Sequence, residues 1–287
     1  MPCITVFNQK GGVGKTTTAF NLVAAIARAA APGMGPLAID LDPQAHLSGL
    51  AGVGEVDSSA SVYAFYRDNK PLAELMRNTH RQWSVIPAHL ELAKVDSQFG
   101  KGPNVLNRLK LALIREQHTS SQRPVIIDCS PMLGVLSLSA IFAADKVLIP
   151  VSADYLAVKG ALQVEKTLNA LGPVLKKRIA RRYVITRFDG RRKMSHDIFN
   201  TFRERFGSDV CETKIAESVS LAESPYAEKD VFEHAPGSRG AHDYQALYEE
   251  LSSNDFWPTS AKPPIPIIDA PLQAFLAQTA RQTVSLR

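Results

Sequence analysis

A short apolar run, a glycine-rich loop and an alanine-rich stretch follow one another at the start of this chain, and little else constrains it as tightly. Ile4-Thr5-Val6-Phe7 has the composition of a buried strand. Lys10-Gly11-Gly12-Val13-Gly14-Lys15-Thr16 follows at once, and Thr16 to Ala31 then holds Ala, Leu, Val and Ile without Gly or Pro, the pattern of a buried helix. A glycine-rich turn between strand and helix aims backbone N–H groups at a phosphate. Gly11, Gly12 and Gly14 permit the dihedrals and the close approach. Lys15 can reach the outer phosphates, and the Thr16 hydroxyl can bind Mg²⁺. Val13 and Thr17 complete the expected nucleotide contacts.

The rest of the chain repeats the alternation. Leu37-Ala38-Ile39, Trp83–Pro87, Pro124–Asp128, Lys146–Val151, Arg182–Thr186 and Val210–Ile215 read as strands. Asn104–Gln117, Leu156–Leu171, Ser195–Phe206 and Tyr244–Leu251 read as helices. Continuous apolar strands between helices predict an α/β fold, a mainly parallel twisted sheet with helices on both faces. One domain is expected over residues 1–255, with a proline-rich linker and short tail over 256–287.

Two further segments supply acids. Asp128 closes an apolar strand, where it would face the loop from the carboxyl edge of a parallel sheet and hold Mg²⁺. Asp40-Leu41-Asp42-Pro43-Gln44 closes another. Acid before proline is also a common turn, so this segment alone carries less weight than the loop.

Charge is distributed unevenly. The chain has a net charge of +5, but Lys176 to Lys193 holds nine basic residues and one acid, Asp189. That window carries +8 and leaves −3 for the remainder. Focused positive charge favours a polyanion. Arg191, Arg192 and Lys193 are the preferred contacts, with Lys176 and Lys177 second. The three cysteines, Cys3, Cys129 and Cys211, are scattered. They indicate neither disulfides nor zinc, fit a reduced cytosolic compartment, and read as small buried side chains. A [4Fe–4S] cluster, as in the nitrogenase iron protein, lacks its thiolates.

The loop departs from the usual phosphate-loop pattern. Gln9 stands where the first glycine is expected, and Lys10 is added. This form resembles the deviant Walker A motif of the ParA/MinD family. Asp40–Gln44 is similar to that family's Asp-x-Asp-Pro-Gln segment. Ala144–Val151, Thr186–Arg191, Leu221-Ala222-Glu223-Ser224-Pro225 and Gly237–Ala241 add to the likeness, which spans roughly residues 3–252 and is nearest to short ParA/Soj-type partition proteins.

The resemblance implies an ATPase using ATP and Mg²⁺, slow without its partner. Lys10 would reach the partner's nucleotide in an ATP-sandwich homodimer. Asp42 would orient the attacking water, making Lys10, Lys15 and Asp42 the catalytic set, and Asp40 would lie near the metal with Thr16 and Asp128. The same family implies nonspecific binding to double-stranded DNA, a ParB-like or other small adaptor, and a nucleoid-associated place in the cytoplasm. The cargo would be a plasmid, a chromosome origin or a protein assembly.

One departure bears on DNA. Glu217 and Ser220 stand where short ParA proteins often carry arginines. A MinD-like membrane-associated ATPase is the alternative. Leu272, Phe275, Leu276 and Thr279 make only a weak apolar stripe in the tail, beside two bases, Arg281 and Arg287, which argues against a membrane anchor.

Overall fold

The computed structural model describes residues 3–100, 102–119, 123–175 and 178–253. The expected linker and tail, 256–287, lie outside the described residues, as do Lys176 and Lys177.

Among the described residues, eight strands form one sheet in the order β3-β4-β2-β5-β1-β6-β7-β8. They are β1 Cys3–Val6, β2 Leu37–Leu41, β3 Arg77–Asn78, β4 Ser84–Ile86, β5 Val125–Cys129, β6 Lys146–Ser152, β7 Ala180–Phe188 and β8 Val210–Ala216. Every neighbouring pair is parallel except β3 with β4.

The continuous apolar runs have a direct cause. Both sheet faces are covered, so both side-chain parities of a strand are buried. In β5, Val125, Ile127 and Cys129 enter one core and Ile126 the other. In β2, Leu37, Ile39 and Leu41 part from Ala38 in the same way. The second core receives α1, Lys15–Ala29, and the helix Arg239–Ser253. The first receives the helices Val62–Asp68, Pro103–Thr119, Val135–Ala143 and Ala157–Leu175.

Within α1 the side chains of Phe20, Leu22, Val23 and Ile26 are almost wholly removed from solvent. Each contributes roughly 1.5–3 kcal/mol by burial. The alanines between them allow close packing, and the Thr18 hydroxyl meets the Tyr244 hydroxyl at 3.2 Å to tie α1 to the last helix.

The structure lengthens several expected elements. The last helix begins at Arg239 rather than Tyr244, and β7 extends from Ala180 to Phe188. Among the helices not read from the chain are Val62–Asp68 and Val135–Ala143. Both are short, and Val135–Ala143 is apolar around most of its circumference, so neither displays a helical stripe. All three cysteines are buried and free, as expected. Among the described residues, no helix is long and apolar enough to cross a membrane.

Candidate nucleotide site

The central strands deliver the site. β1 runs between β5 and β6, with Val6 in register with Asp128, and Asp40 of β2 stands opposite Asp128 of β5. The phosphate loop, the Asp40–Asp42 segment and Asp128 therefore leave the same edge of the sheet. In open α/β sheets this carboxyl edge is where ligands sit.

Gly14 occupies the N-cap of α1 with φ of 82°, in the left-handed region. A side chain there would be strained. The first turn of α1 carries no acid, so its free N–H groups and positive dipole end are left for an anion. Gly11 and Gly12 are exposed at the tip, and Val13 is buried beneath them. The Val13 carbonyl accepts from the Thr186 hydroxyl at 2.9 Å, which fastens the loop to β7. Asn8 holds the other side. It donates to the Pro150 carbonyl at 2.8 Å and accepts from the Lys10 N–H at 3.0 Å.

Two lysines flank the loop. The Lys15 ammonium is mostly buried and donates to the Lys10 carbonyl at 3.0 Å. Burial pushes its pKa down, while Asp128, Asp42 and Cys129 pull it back. Lys10 points another way. Its ammonium binds Asp154 at 2.5 Å and the Ser152 hydroxyl at 3.3 Å, and its stem passes over Gly160. Partial burial raises the Asp154 carboxyl, but the Lys10 and Ser152 hydrogen bonds outweigh it and leave Asp154 below the ordinary range.

The acids differ from one another. Both Asp40 oxygens are occupied. One accepts from the Asp42 N–H at 3.1 Å, and the other from the Ser48 N–H at 2.8 Å and hydroxyl at 2.7 Å. Burial raises its pKa to about 6 against those hydrogen bonds. Asp128 is also fully buried, but among the described residues its Oδ2 has no hydrogen-bond partner. Burial, then the Asp40 charge, pushes its carboxyl well above the ordinary range, with Thr16 and Lys15 pulling down. Asp42 is nearly buried and accepts from the Gln44 N–H at 3.0 Å.

These donors suit Mg²⁺. An orphaned buried carboxylate oxygen beside a threonine hydroxyl is a hard-oxygen environment. Among the described residues no three His, Cys, Asp or Glu gather into a preformed metal site, so the remaining ligands of an ion would be phosphate and water. The Asp40 oxygens already brace the turn that carries Asp42.

The comparisons bear on this geometry. A family described as AAA domain matches residues 1–180. The chain is 34% identical over 257 residues to the chromosome partitioning protein ParA of Myxococcus xanthus, covering 88% of each. It is 32% identical over 253 residues to the sporulation initiation inhibitor protein Soj of Bacillus subtilis, covering 88% of this chain and 98% of that one. The chain belongs to the ParA/MinD family of ATPases. A solved structure of cobyrinic acid a,c-diamide synthase from Mycobacterium smegmatis, with bound ATP analogue and magnesium, superposes with a TM-score of 0.74 at 26% identity. That match covers 93% of this chain and 99% of that one.

Membership does not extend to every expected contact. The basic window is only partly free. Arg181 is buried against Glu165 at 2.5 Å, Arg178 pairs with Asp209 at 3.0 Å, and Arg187 pairs with Glu217 at 3.3 Å. Arg191 and Arg192 project outward, with side chains 90% and 64% exposed, and share Asp189 at 3.0 and 3.2 Å. Lys193 is exposed and opens the helix Lys193–Phe206. Glu165, Asp209 and Glu217 lie outside the window, so its +8 could not reveal them. Asn8, Ser152 and Asp154 were also missed as parts of the site. The available signal was position: Ser152 and Asp154 closely follow the Lys146–Val151 run, much as Asn8 follows β1.

Proposed function

We propose that this protein is a ParA-type ATPase that binds ATP with Mg²⁺, closes as an ATP-sandwich dimer, binds DNA without sequence preference and positions a cargo through adaptor-stimulated hydrolysis. The observation that carries this reading is the division of labour between the two lysines. Lys15 turns back over its own loop, whereas Lys10 is held at the rim by Asp154 and Ser152, 2.5 and 3.3 Å away. A lysine so placed is available to a second nucleotide.

In this mechanism the loop N–H groups and Lys15 bind the phosphates of the chain's own ATP. Thr16 and Asp128 would hold Mg²⁺, which when bound neutralises phosphate charge. Asp42 orients the attacking water, and Asp40 keeps Asp42 in place through its N–H. Lys10 exchanges Asp154 for the partner's nucleotide. The dimer brings two copies of Arg191, Arg192 and Lys193 to one surface, which raises the effective affinity for a phosphate backbone. The ParA and Soj relatives support partition as the setting.

Lys10→Ala is expected to keep most of its ATP affinity while losing ATP-dependent dimerisation. Light scattering with ATP and Mg²⁺ reads the dimer, and calorimetry reads the nucleotide. A monomer–dimer equilibrium unchanged by the substitution sinks the sandwich.

A further inference from the structure

β5 ends at Cys129, and the chain then turns through Ser130–Gly134 into the helix Val135–Ala143. This loop continues from Asp128 with only Cys129 between, so its placement and that of the metal-side carboxylate are linked. Gly134 at the N-cap has no side chain to accept from the first helical N–H groups. A carboxylate from elsewhere supplies the cap. Asp96 Oδ1 accepts from the Val135 N–H at 2.8 Å. Its negative charge also suits the positive end of the helix.

The fit is close. A methyl group at position 134 would overlap the Asp96 carboxylate, so any larger residue there has to push the Asp96 side chain off its bond to Val135. Within the loop, the Ser137 hydroxyl donates to the Met132 carbonyl at 2.8 Å and receives the Gly134 N–H at 3.0 Å. Asp96 itself is well anchored. Its turn, Val95–Gln98, buries Val95 completely and receives the Tyr63 hydroxyl on Gln98 at 3.0 Å. Met132, by contrast, is 73% exposed at the crest of the loop.

We propose that Asp96, packed against Gly134 and bonded to Val135, is a positioning residue for nucleotide turnover, clamping the loop that follows Asp128. The inference rests on the ATPase reading above. The clamp acts on the segment beyond the metal-side carboxylate and leaves the phosphate loop alone. Its loss therefore lowers kcat and spares the binding of ATP.

The test uses the full chain with ATP and Mg²⁺. Asp96→Ala and Gly134→Ala are each expected to reduce kcat about tenfold, as befits one charge-assisted hydrogen bond, with KM near wild type and Tm lowered only by the few degrees that loss of a helix cap costs. Both lesions break the same clamp, so the double variant is expected to be no slower than either single one. Asp96→Asn keeps an oxygen acceptor and should retain most turnover. Amide hydrogen exchange at Val135 reads the clamp independently of hydrolysis and is expected to accelerate in Asp96→Ala. Wild-type kcat in Asp96→Ala, effects that multiply in the double variant, or a fall in Tm matched by weaker ATP affinity would each overturn the proposal. A wild-type protein that does not hydrolyse ATP defeats the ATPase reading instead, and the exchange at Val135 still reports on the clamp.

Discussion

At the carboxyl edge of the central strands, charged groups face one another with little access to water. Along the segment from Arg178 to Lys193 they mostly face solvent. Asp40 and Asp128 are completely buried, whereas the Arg191 side chain is 90% exposed. The contrast decides what each region can do. Buried charges interact strongly and shift one another's protonation. Exposed ion pairs are screened and contribute little to stability. The first region is suited to chemistry on a phosphate. The second is suited to weak contacts that salt can undo.

Breaking the buried side should give the largest effect. Asp42→Ala is expected to cut turnover about a hundredfold or more, the scale of removing a group that positions or deprotonates a nucleophile. ATP affinity should change only a few-fold, because Asp42 is not among the loop donors. Single-turnover kinetics beside equilibrium binding separates the two quantities. Wild-type turnover would assign the water to another residue.

Protonation offers a gentler probe of the same region. Asp40 has its pKa raised to about 6 from an ordinary 3.8. For an acid raised by folding, the unfolded chain ionises first, so stability falls as pH rises between those values. The expected loss without nucleotide is about 2 kcal/mol from pH 4 to pH 6. Asp128 is raised as well, by burial and by the Asp40 charge, and adds to the same decline. Thermal melts across this range should show it, and Asp40→Asn should flatten the part below pH 6. A melting temperature that rises from pH 4 to pH 6, with no flattening in the variant, would contradict the assignment.

The smallest effect belongs to the exposed region and sharpens the comparison most. Glu217→Gln releases Arg187 from its ion pair. If Arg187 then reaches a phosphate, the salt dependence of duplex binding should steepen by about 0.9 in logarithmic slope. Arg191→Ala with Arg192→Ala should flatten it by a similar amount for each phosphate no longer neutralised. Gel shifts on unrelated duplexes with ATP, over a salt series, measure both. Slopes unchanged in both variants would move DNA binding to another surface.

How much of this could be read from the chain varies with distance along it. Lys10 to Thr16 is contiguous, and a strand before it with a helix after it already implies the loop's geometry. Asp128 was legible because an apolar run that stops at an acid marks a strand end. Asp40 was legible as a position, but its bracing role was not, because its Ser48 partner lies eight residues away. The cap on Val135 comes from Asp96, 39 residues earlier, and no local pattern announces it. Nor could charge counting along Lys176–Lys193 register Glu165, Asp209 or Glu217.

The order of residues alone thus determined the parallel α/β sheet, the phosphate loop and the two acid-bearing strand ends. Each depends on periodicity or on neighbours a few bonds apart. Tertiary structure decided which charges stay free. It turned Lys10 to Asp154, occupied both oxygens of Asp40, left one oxygen of Asp128 unpaired and paired several of the window's arginines with distant acids. The physical reason is that backbone geometry propagates along the chain, whereas the energy of a charge is set by whatever the fold packs against it.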